Sequence, residues 1–128
     1  MDMKTFSERT GLSPHTLRYY EKIGLLKQIQ RDQSGRRIYT VKALSWVTFI
    51  LRLKNTGMPL ADIQLYAQMR EKGDSTLRER QTLLQAHQHK LIQQIAEQQT
   101  HLTALNEKIA LYDDLIQSDS NHLTSTEK

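Results

Sequence analysis

The sequence has no cysteine among its 128 residues. A chain without thiols cannot form disulfide bonds, thiolate metal sites or iron–sulfur clusters, and it has no thiol nucleophile. It also has no glycine-rich phosphate loop, no H-E-x-x-H or H-x-x-x-H helix and no pair of carboxylates that indicates a catalytic pocket. We therefore expect no catalytic residues, no cofactor and no metal site, and we expect that the protein is not an enzyme.

Proline, glycine and aromatic residues are scarce as well. Two prolines, five glycines, 6% aromatic and 38% hydrophobic residues predict long helices and no large compact core. No apolar run approaches the roughly 20 residues of a membrane span, and no basic-then-apolar signal peptide follows Met1. We therefore expect a cytoplasmic protein that does not bind membranes.

Charge is divided unevenly along the chain, whose net value is +4. Residues 1–73 carry 13 Lys and Arg against 6 Asp and Glu, a net of +7. Residues 74–128 carry 5 against 8, a net of −3. A basic first half favours binding to a polyanion such as nucleic acid, with a separate role for the second half.

The first half opens with the signals of a helix-turn-helix, in "TFSERTGLSPHTLRYYEKIGLL" (residues 5–26). Thr5 and Glu8 have the spacing of a capping box, and Gly11 is a natural helix stop. Ser13 can cap a second helix whose first turn accommodates Pro14. This pattern predicts helices over about 5–11 and 14–23, joined by a tight turn.

The segment 27–40, which includes "RDQSGRRIYT", predicts a two-stranded wing with a turn at Ser34–Gly35 and basic residues near its tip. Two further helices follow over about 41–56 and 60–72. Together with the helix-turn-helix they form a predicted winged head over residues 1–73.

From Ser75 the chain predicts one long coiled-coil helix over 75–116, about 63 Å long at 1.5 Å per residue. Nine of twelve seam positions are apolar, and we predict that these side chains form a dimer interface: Leu77, Leu84, Leu91, Ile95, Leu102, Leu105, Ile109, Tyr112 and Ile116. The alternative is a single amphipathic helix folded over its own head. Residues 117–128 lack an apolar period and are predicted to be a disordered tail.

Three stretches, "TLRYYEKIGLL", "SGRRIYT" and "FILRLKNTGMPLADI", followed by the long helix, together resemble the MerR family of bacterial transcription regulators. The run "EKGDSTLRERQTLL" resembles its small-regulator branch, which contains aldehyde- and electrophile-responsive members. The resemblance implies a mainly α fold with a winged helix-turn-helix head and an antiparallel coiled-coil dimer. It also implies a regulator that binds a two-fold symmetric promoter, distorts its spacer and acts with RNA polymerase in the bacterial nucleoid.

The two adjacent tyrosines of α-helical "LRYY" point about 100° apart, so only one of them can enter the core. The resemblance implies that Arg18 and Tyr19 contact DNA, while Tyr20 faces the core with Leu17. It places seven residues on double-stranded promoter DNA: His15, Thr16, Arg18, Tyr19, Arg36, Arg37 and Tyr39. An alternative function is a winged-helix adaptor that binds proteins and has no sequence-specific DNA binding.

The inducing signal is the least determined property. In the electrophile-responsive branch a single cysteine lies in the third helix, and the matching position here is Arg52. An arginine cannot serve as a thiolate nucleophile. We therefore expect either no effector or a small apolar or anionic ligand near Arg52, Tyr66 and Met69, although Arg52 could instead be a surface charge in an ion pair. The histidines of the long helix, His87, His89 and His101, are expected to be solvated.

Overall fold

The computed structural model describes residues 1–27 and 29–126, with side chains as far as Asn121. Over this range the chain forms five α-helices and one small antiparallel sheet. The elements in chain order are α1 (Met3–Thr10), α2 (Pro14–Lys22), β1 (Gln30–Arg31), β2 (Arg37–Ile38), α3 (Val41–Asn55), α4 (Leu60–Lys72), a 3-10 turn (Asp74–Thr76) and α5 (Leu77–Thr126). The predicted class, a mainly α winged helix-turn-helix with a long C-terminal helix, is confirmed.

The first helix begins earlier than its sequence signals indicate. Asp2 is the N-cap of α1, and its Oδ1 accepts a hydrogen bond from the Thr5 backbone N–H at 2.8 Å. The predicted capping box at Thr5 and Glu8 is therefore wrong, because Thr5 already lies inside the helix. An aspartate carboxylate is at least as good an N-cap as a threonine hydroxyl, and its charge also favours the positive end of the helix dipole.

The turn between α1 and α2 follows the prediction. Gly11 adopts φ 73°, where a side chain would be strained, and its N–H donates to the Ser7 carbonyl at 2.9 Å. Ser13 then caps α2 by accepting the Thr16 N–H at 3.1 Å, and Pro14 occupies the first helical position. The helix-turn-helix is therefore specified by residues within a few positions of the turn.

The wing is a short hairpin in which Gln30 pairs with Ile38 and Arg31 with Arg37. Its turn is stabilised by Asp32, whose Oδ1 accepts the N–H groups of Ser34 and Arg36, each at 2.9 Å. Both N–H groups lie within four residues of Asp32, so the hairpin stabilises its own turn.

The core of the head collects apolar side chains from the four helices α1 to α4 and from the segments that connect them. Its buried members are Phe6, Leu17, Tyr20, Leu25, Leu26, Tyr39, Val47, Ile50, Leu53, Met58 and Ile63. Met1 and Tyr39 exchange two backbone hydrogen bonds, of 2.6 and 2.7 Å, and these tie the N-terminus to the base of the wing. Thr40 caps α3 as predicted, by accepting the Ala43 N–H at 3.0 Å.

The long helix α5 continues through Thr126, so the prediction of a disordered tail is wrong for the backbone of residues 117–126; residues 127 and 128 lie outside the described part. Neither glycine nor proline occurs after Gly73. The loss of an apolar period removes a packing surface, but it does not by itself interrupt the backbone hydrogen bonds of a helix.

The chain divides into two compact units, residues 1–87 and the part that begins at Gln88. The head therefore extends to residue 87 and includes the opening turns of α5. Leu84, in these turns, is partly buried against the core of the head. In the described residues, no helix is both long and apolar enough to span a bilayer.

Candidate nucleic-acid interface

Helix α2 presents two of the predicted DNA-binding side chains at its surface. Arg18 is exposed, and Tyr19 is 46% exposed, whereas Leu17 and Tyr20 are buried in the core. This division matches the prediction, since neighbouring positions on a helix point about 100° apart. A guanidinium can donate two parallel hydrogen bonds to guanine or to a phosphate, and a phenolic hydroxyl can donate to a phosphate.

His15 and Thr16, the two predicted DNA-binding residues at the start of α2, differ in exposure. His15 is exposed, and nothing in the structure restricts its side chain. Thr16 is half-buried, and its Oγ1 accepts a hydrogen bond from the Ser13 hydroxyl at 3.0 Å. The Thr16 side chain therefore belongs to the N-terminal cap of the helix as well as to its outer surface.

Arg36 and Arg37, both predicted to contact DNA, occupy the return side of the wing. Arg36 is exposed, whereas Arg37 is only 25% exposed and its Nε donates to Glu21 Oε2 of α2 at 2.8 Å. This ion pair joins the wing to the recognition helix and leaves the terminal nitrogens of Arg37 available. The role of Glu21 is not predicted from the sequence, where its only signal is its position three residues after Arg18 on the same helix face.

Tyr39, the seventh predicted DNA-binding residue, is instead a core residue, with 1% of its surface exposed. Its ring stacks on Phe6 with centroids 4.2 Å apart, and its hydroxyl lies 3.4 Å from the Met3 sulfur. This position does not fit the predicted phosphate contact. Two residues after Arg37, the aromatic ring of Tyr39 instead anchors the end of the wing to the core.

The pKa of Tyr39 reports the charges around it. Burial raises the pKa of this phenol above its ordinary value of 10.0, and the negative charge of Glu21 acts in the same direction, whereas the positive charges of Arg37, Arg18 and Arg31 act in the opposite direction. Cations from α2 and from both strands therefore lie near one point of the head. Such a cluster favours a polyanion at the surface above it.

The predicted dimer residues fall into two groups. Seven of them are 49% to 64% exposed in the single chain: Leu77, Ile95, Leu102, Leu105, Ile109, Tyr112 and Ile116. The other two, Leu84 and Leu91, are half-buried. An apolar stripe this long and this exposed is unfavourable in water and indicates that another helix covers it.

The three candidate effector residues lie on two helices and differ in their surroundings. Arg52 is exposed, and in the described part of the chain no carboxylate pairs with it. Tyr66 is half-buried against Trp46 and Phe49, with ring centroids 5.9 and 5.6 Å apart. Met69 is half-buried, and its carbonyl accepts the Thr76 hydroxyl.

His87 differs from the expected solvated residue. It is half-buried, and its Nε2 lies 2.7 Å from Thr56 Oγ1, which links α5 to the end of α3. The Thr56 hydroxyl also lies 2.8 Å from the Arg52 carbonyl, so this hydroxyl bridges the last turn of α3 and the His87 ring. Among the residues that the structure describes, no group of three or more His, Asp or Glu side chains could hold a metal ion.

Two family models match the sequence. The model of the MerR HTH family regulatory protein matches residues 1–70, and the model named MerR, DNA binding matches residues 44–108. Together they cover the helix-turn-helix, the wing, α3, α4 and the first half of α5.

Two relatives show the same likeness along most of the chain. An HTH-type transcriptional regulator of Haemophilus influenzae is 42% identical over 106 residues, which are 83% of this chain and 78% of the relative. The HTH-type transcriptional regulator AdhR of Bacillus subtilis is 31% identical over 93 residues, which are 73% of this chain and 66% of AdhR.

Solved structures agree with these matches. A MerR family transcriptional regulator from Listeria monocytogenes aligns with a TM-score of 0.90 and 31% identity, covering 99% of this chain and 96% of that one. HiNmlR, a MerR family regulator lacking the sensor domain and bound to promoter DNA, aligns with a TM-score of 0.81 and 39% identity, over 88% of this chain and 86% of its own.

Proposed function

Because this chain belongs to the MerR family of helix-turn-helix regulatory proteins and is a DNA-binding transcription regulator, we propose that it binds a two-fold symmetric promoter site as a homodimer. In this proposal it distorts the promoter spacer and so controls transcription by RNA polymerase on the same promoter. Its place is the bacterial cytoplasm, at the nucleoid. The family consists of transcription regulators, and we propose no catalytic activity.

The observation that carries the proposed DNA contacts is the pairing of α2 with the wing. Arg18 and Tyr19 are free at the surface of α2, and Glu21 holds the Arg37 side chain beside the same helix at 2.8 Å. A recognition helix in the major groove and a wing on the adjacent backbone would then move as one body. Arg36 and Arg37 neutralise phosphates in this arrangement, and Arg18 reads a base or a phosphate.

The adaptor alternative accounts less well for these features. Tyrosine and arginine also occur in protein–protein interfaces, but three arginines, Arg18, Arg31 and Arg36, lie on the exposed faces of α2 and the wing. Such a surface binds DNA phosphates independently of sequence, and contacts with base edges add sequence specificity.

The homodimer follows from the exposed stripe on α5. If two copies pair in antiparallel orientation about the middle of the seam, Leu91 of one chain lies opposite Leu102 of the other, and Gln98 faces Ile95. Every apolar seam residue is then covered, while Gln98 helps to fix the register, as single polar seam residues do. The two heads lie at opposite ends, as a two-fold symmetric site requires.

The absence of native cysteine makes the orientation directly testable. The double variant with Leu91→Cys and Leu102→Cys should form a covalent dimer under mild oxidation, because the two positions face each other in the antiparallel pair. The single variant Leu91→Cys is the control and should stay uncrosslinked. Efficient crosslinking of Leu91→Cys alone would instead show parallel pairing.

DNA binding is tested by comparing Arg18→Ala with Arg36→Ala on the promoter site and on random duplex. If Arg18 reads a base, its loss should cost about 1–3 kcal/mol on the promoter site and reduce the preference for it. Loss of Arg36 should weaken binding to both duplexes alike and lower the salt slope by about one unit. An unchanged salt slope for Arg36→Ala would exclude the proposed phosphate contact.

A further inference from the structure

A cleft of about 550 Å³ lies inside the head, apart from every residue assigned above to DNA or to the dimer seam. Its walls come from the segment after α2, the end of the wing, the first turns of α3, the last turn of α4 and the first turn of α5. This volume is within the range of about 300–1,000 Å³ that small-molecule sites occupy.

The charged side chains that line this cleft are mostly cationic. They are Lys27, Lys42, Arg70 and Arg80 against Glu71 and Asp74, a net of +2. Only one ion pair forms among them, between Lys27 Nζ and Glu71 Oε2 at 2.6 Å. In the described part of the chain, no carboxylate lies within 4.0 Å of the side-chain nitrogens of Lys42, Arg70 or Arg80.

The two arginines are held in place by uncharged groups. The Cζ atom of Arg70 lies 4.1 Å from the centroid of the Trp46 ring. Arg80 is half-buried, with Nε donating to Thr76 Oγ1 and Nη2 donating to the Gly73 carbonyl, each at 3.1 Å. An aromatic face and two neutral oxygens orient the guanidinium groups, and within the single chain no carboxylate in the described part compensates their charge.

We propose that this cleft is a binding site for a small anion, an organic acid or phosphate ester whose carboxylate or phosphate is held by Lys42, Arg70 and Arg80. Arg80 is oriented by its two hydrogen bonds and keeps the N–H donors of Nη1 for either oxyanion, and this preorganisation lowers the cost of binding. The site does not depend on the proposed DNA contacts, so binding of the anion can be measured in the absence of DNA.

Trp46 supplies the measurement, because it is the only tryptophan of the chain and it lines the cleft. Its indole is fixed by a 2.6 Å hydrogen bond from Nε1 to the Leu25 carbonyl. Titration of the full chain with pyrophosphate, and separately with succinate, at constant ionic strength should change its fluorescence in a saturable way. The two titrations separate a phosphate ligand from a carboxylate ligand.

Two variants locate the binding. Arg80→Gln should weaken the favoured anion about tenfold or more, the loss expected for one charge-assisted hydrogen bond. Lys42→Gln changes an exposed side chain, so it should preserve the fold and weaken binding severalfold. Lys54→Gln, on the same helix as Lys42 but outside the cleft, is the matched control and should bind like the wild type.

Three results would overturn the proposal. One is a fluorescence change that does not saturate with either anion or that sodium chloride reproduces. Another is unaltered affinity in Lys42→Gln and in a folded Arg80→Gln variant. The third is displacement of the anion by random duplex DNA together with a lower DNA salt slope in Arg80→Gln, which would assign the cleft to DNA phosphates instead.

Discussion

The head and the remainder of α5 bury their apolar residues in opposite ways. Residues 1–87 enclose eleven buried apolar side chains drawn from the four helices α1 to α4 and the segments that connect them. From Ile92 through Asn121, by contrast, every described side chain is exposed, including eight leucines and isoleucines that lie near half exposure or above. The same kind of residue is thus part of a closed core in one region and of an uncovered stripe in the other.

This difference separates folding from association. The head obtains its stability from contacts between distant segments of its own chain, such as Phe6 on Tyr39. A helix in water gains little from its own backbone hydrogen bonds, so the remainder of α5 relies on a covering partner. Substitutions in the two regions should therefore impair different properties, and that contrast can be tested.

The largest effect is expected at the middle of the seam. Leu102→Asp would place two carboxylates in the dimer interface, without partners, and should weaken association by at least about a thousandfold, or roughly 4 kcal/mol. Sedimentation equilibrium at micromolar concentration should show a monomer whose head remains folded.

Thr100→Asp is the matched control, since it lies two residues away on the same helix and outside the seam. It should remain a dimer. If both variants stay dimeric, the covering partner of α5 is not a second copy paired along this seam.

The next largest effect is expected in the core of the head. Phe6→Ala removes a fully buried ring that stacks on Tyr39 at 4.2 Å, and should lower the free energy of unfolding by about 3–5 kcal/mol. Thermal unfolding followed by circular dichroism measures the loss. The Leu91→Cys/Leu102→Cys pair should still form its crosslink on oxidation in a chain that carries Phe6→Ala, and failure to form it would show that the two regions are not independent.

A smaller effect is expected from the ion pair that joins the wing to α2. Glu21→Gln should reduce affinity for the promoter site by about 1 kcal/mol, because Arg37 loses the partner that holds it beside the recognition helix. In a chain that also carries Arg37→Ala, Glu21→Gln should not lower the affinity for DNA. Glu21 then has no ion-pair partner, and its carboxylate only repels the DNA phosphates. Equal losses in both backgrounds would mean that Glu21 does not act through Arg37.

The smallest effect is a pH dependence at the N-cap of α1. The Thr5 backbone N–H holds the pKa of Asp2 below its ordinary value of 3.8. A lowered pKa in the folded state means that the stabilisation is fully present above about pH 3.8 and is lost as pH falls through the folded value. The difference in melting temperature between wild type and Asp2→Ala should therefore shrink on acidification from pH 7 to 2.5. A difference that stays constant would show that the carboxylate charge contributes nothing to the cap.

Short-range signals made much of the head predictable. Ser13 and Pro14 at the start of α2, Ser34–Gly35 in the wing and Thr40 before α3 each act within four residues, so they can be read directly from the sequence. The 100° step between helix neighbours likewise assigned Tyr20 to the core and Tyr19 to the surface. The heptad period of α5 predicted the stripe that the structure leaves exposed.

Features that join distant segments were decided only by the tertiary structure. Tyr39 is spaced from Arg37 as a DNA contact would be, yet packing against Phe6, 33 positions earlier, buries it. Glu21 meets Arg37 only because the hairpin folds back on α2. The cationic cleft needs five separate segments to meet. Local sequence determines which helices and turns form, because their hydrogen bonds close within a few residues, whereas burial and charge pairing depend on which remote side chains the fold brings together.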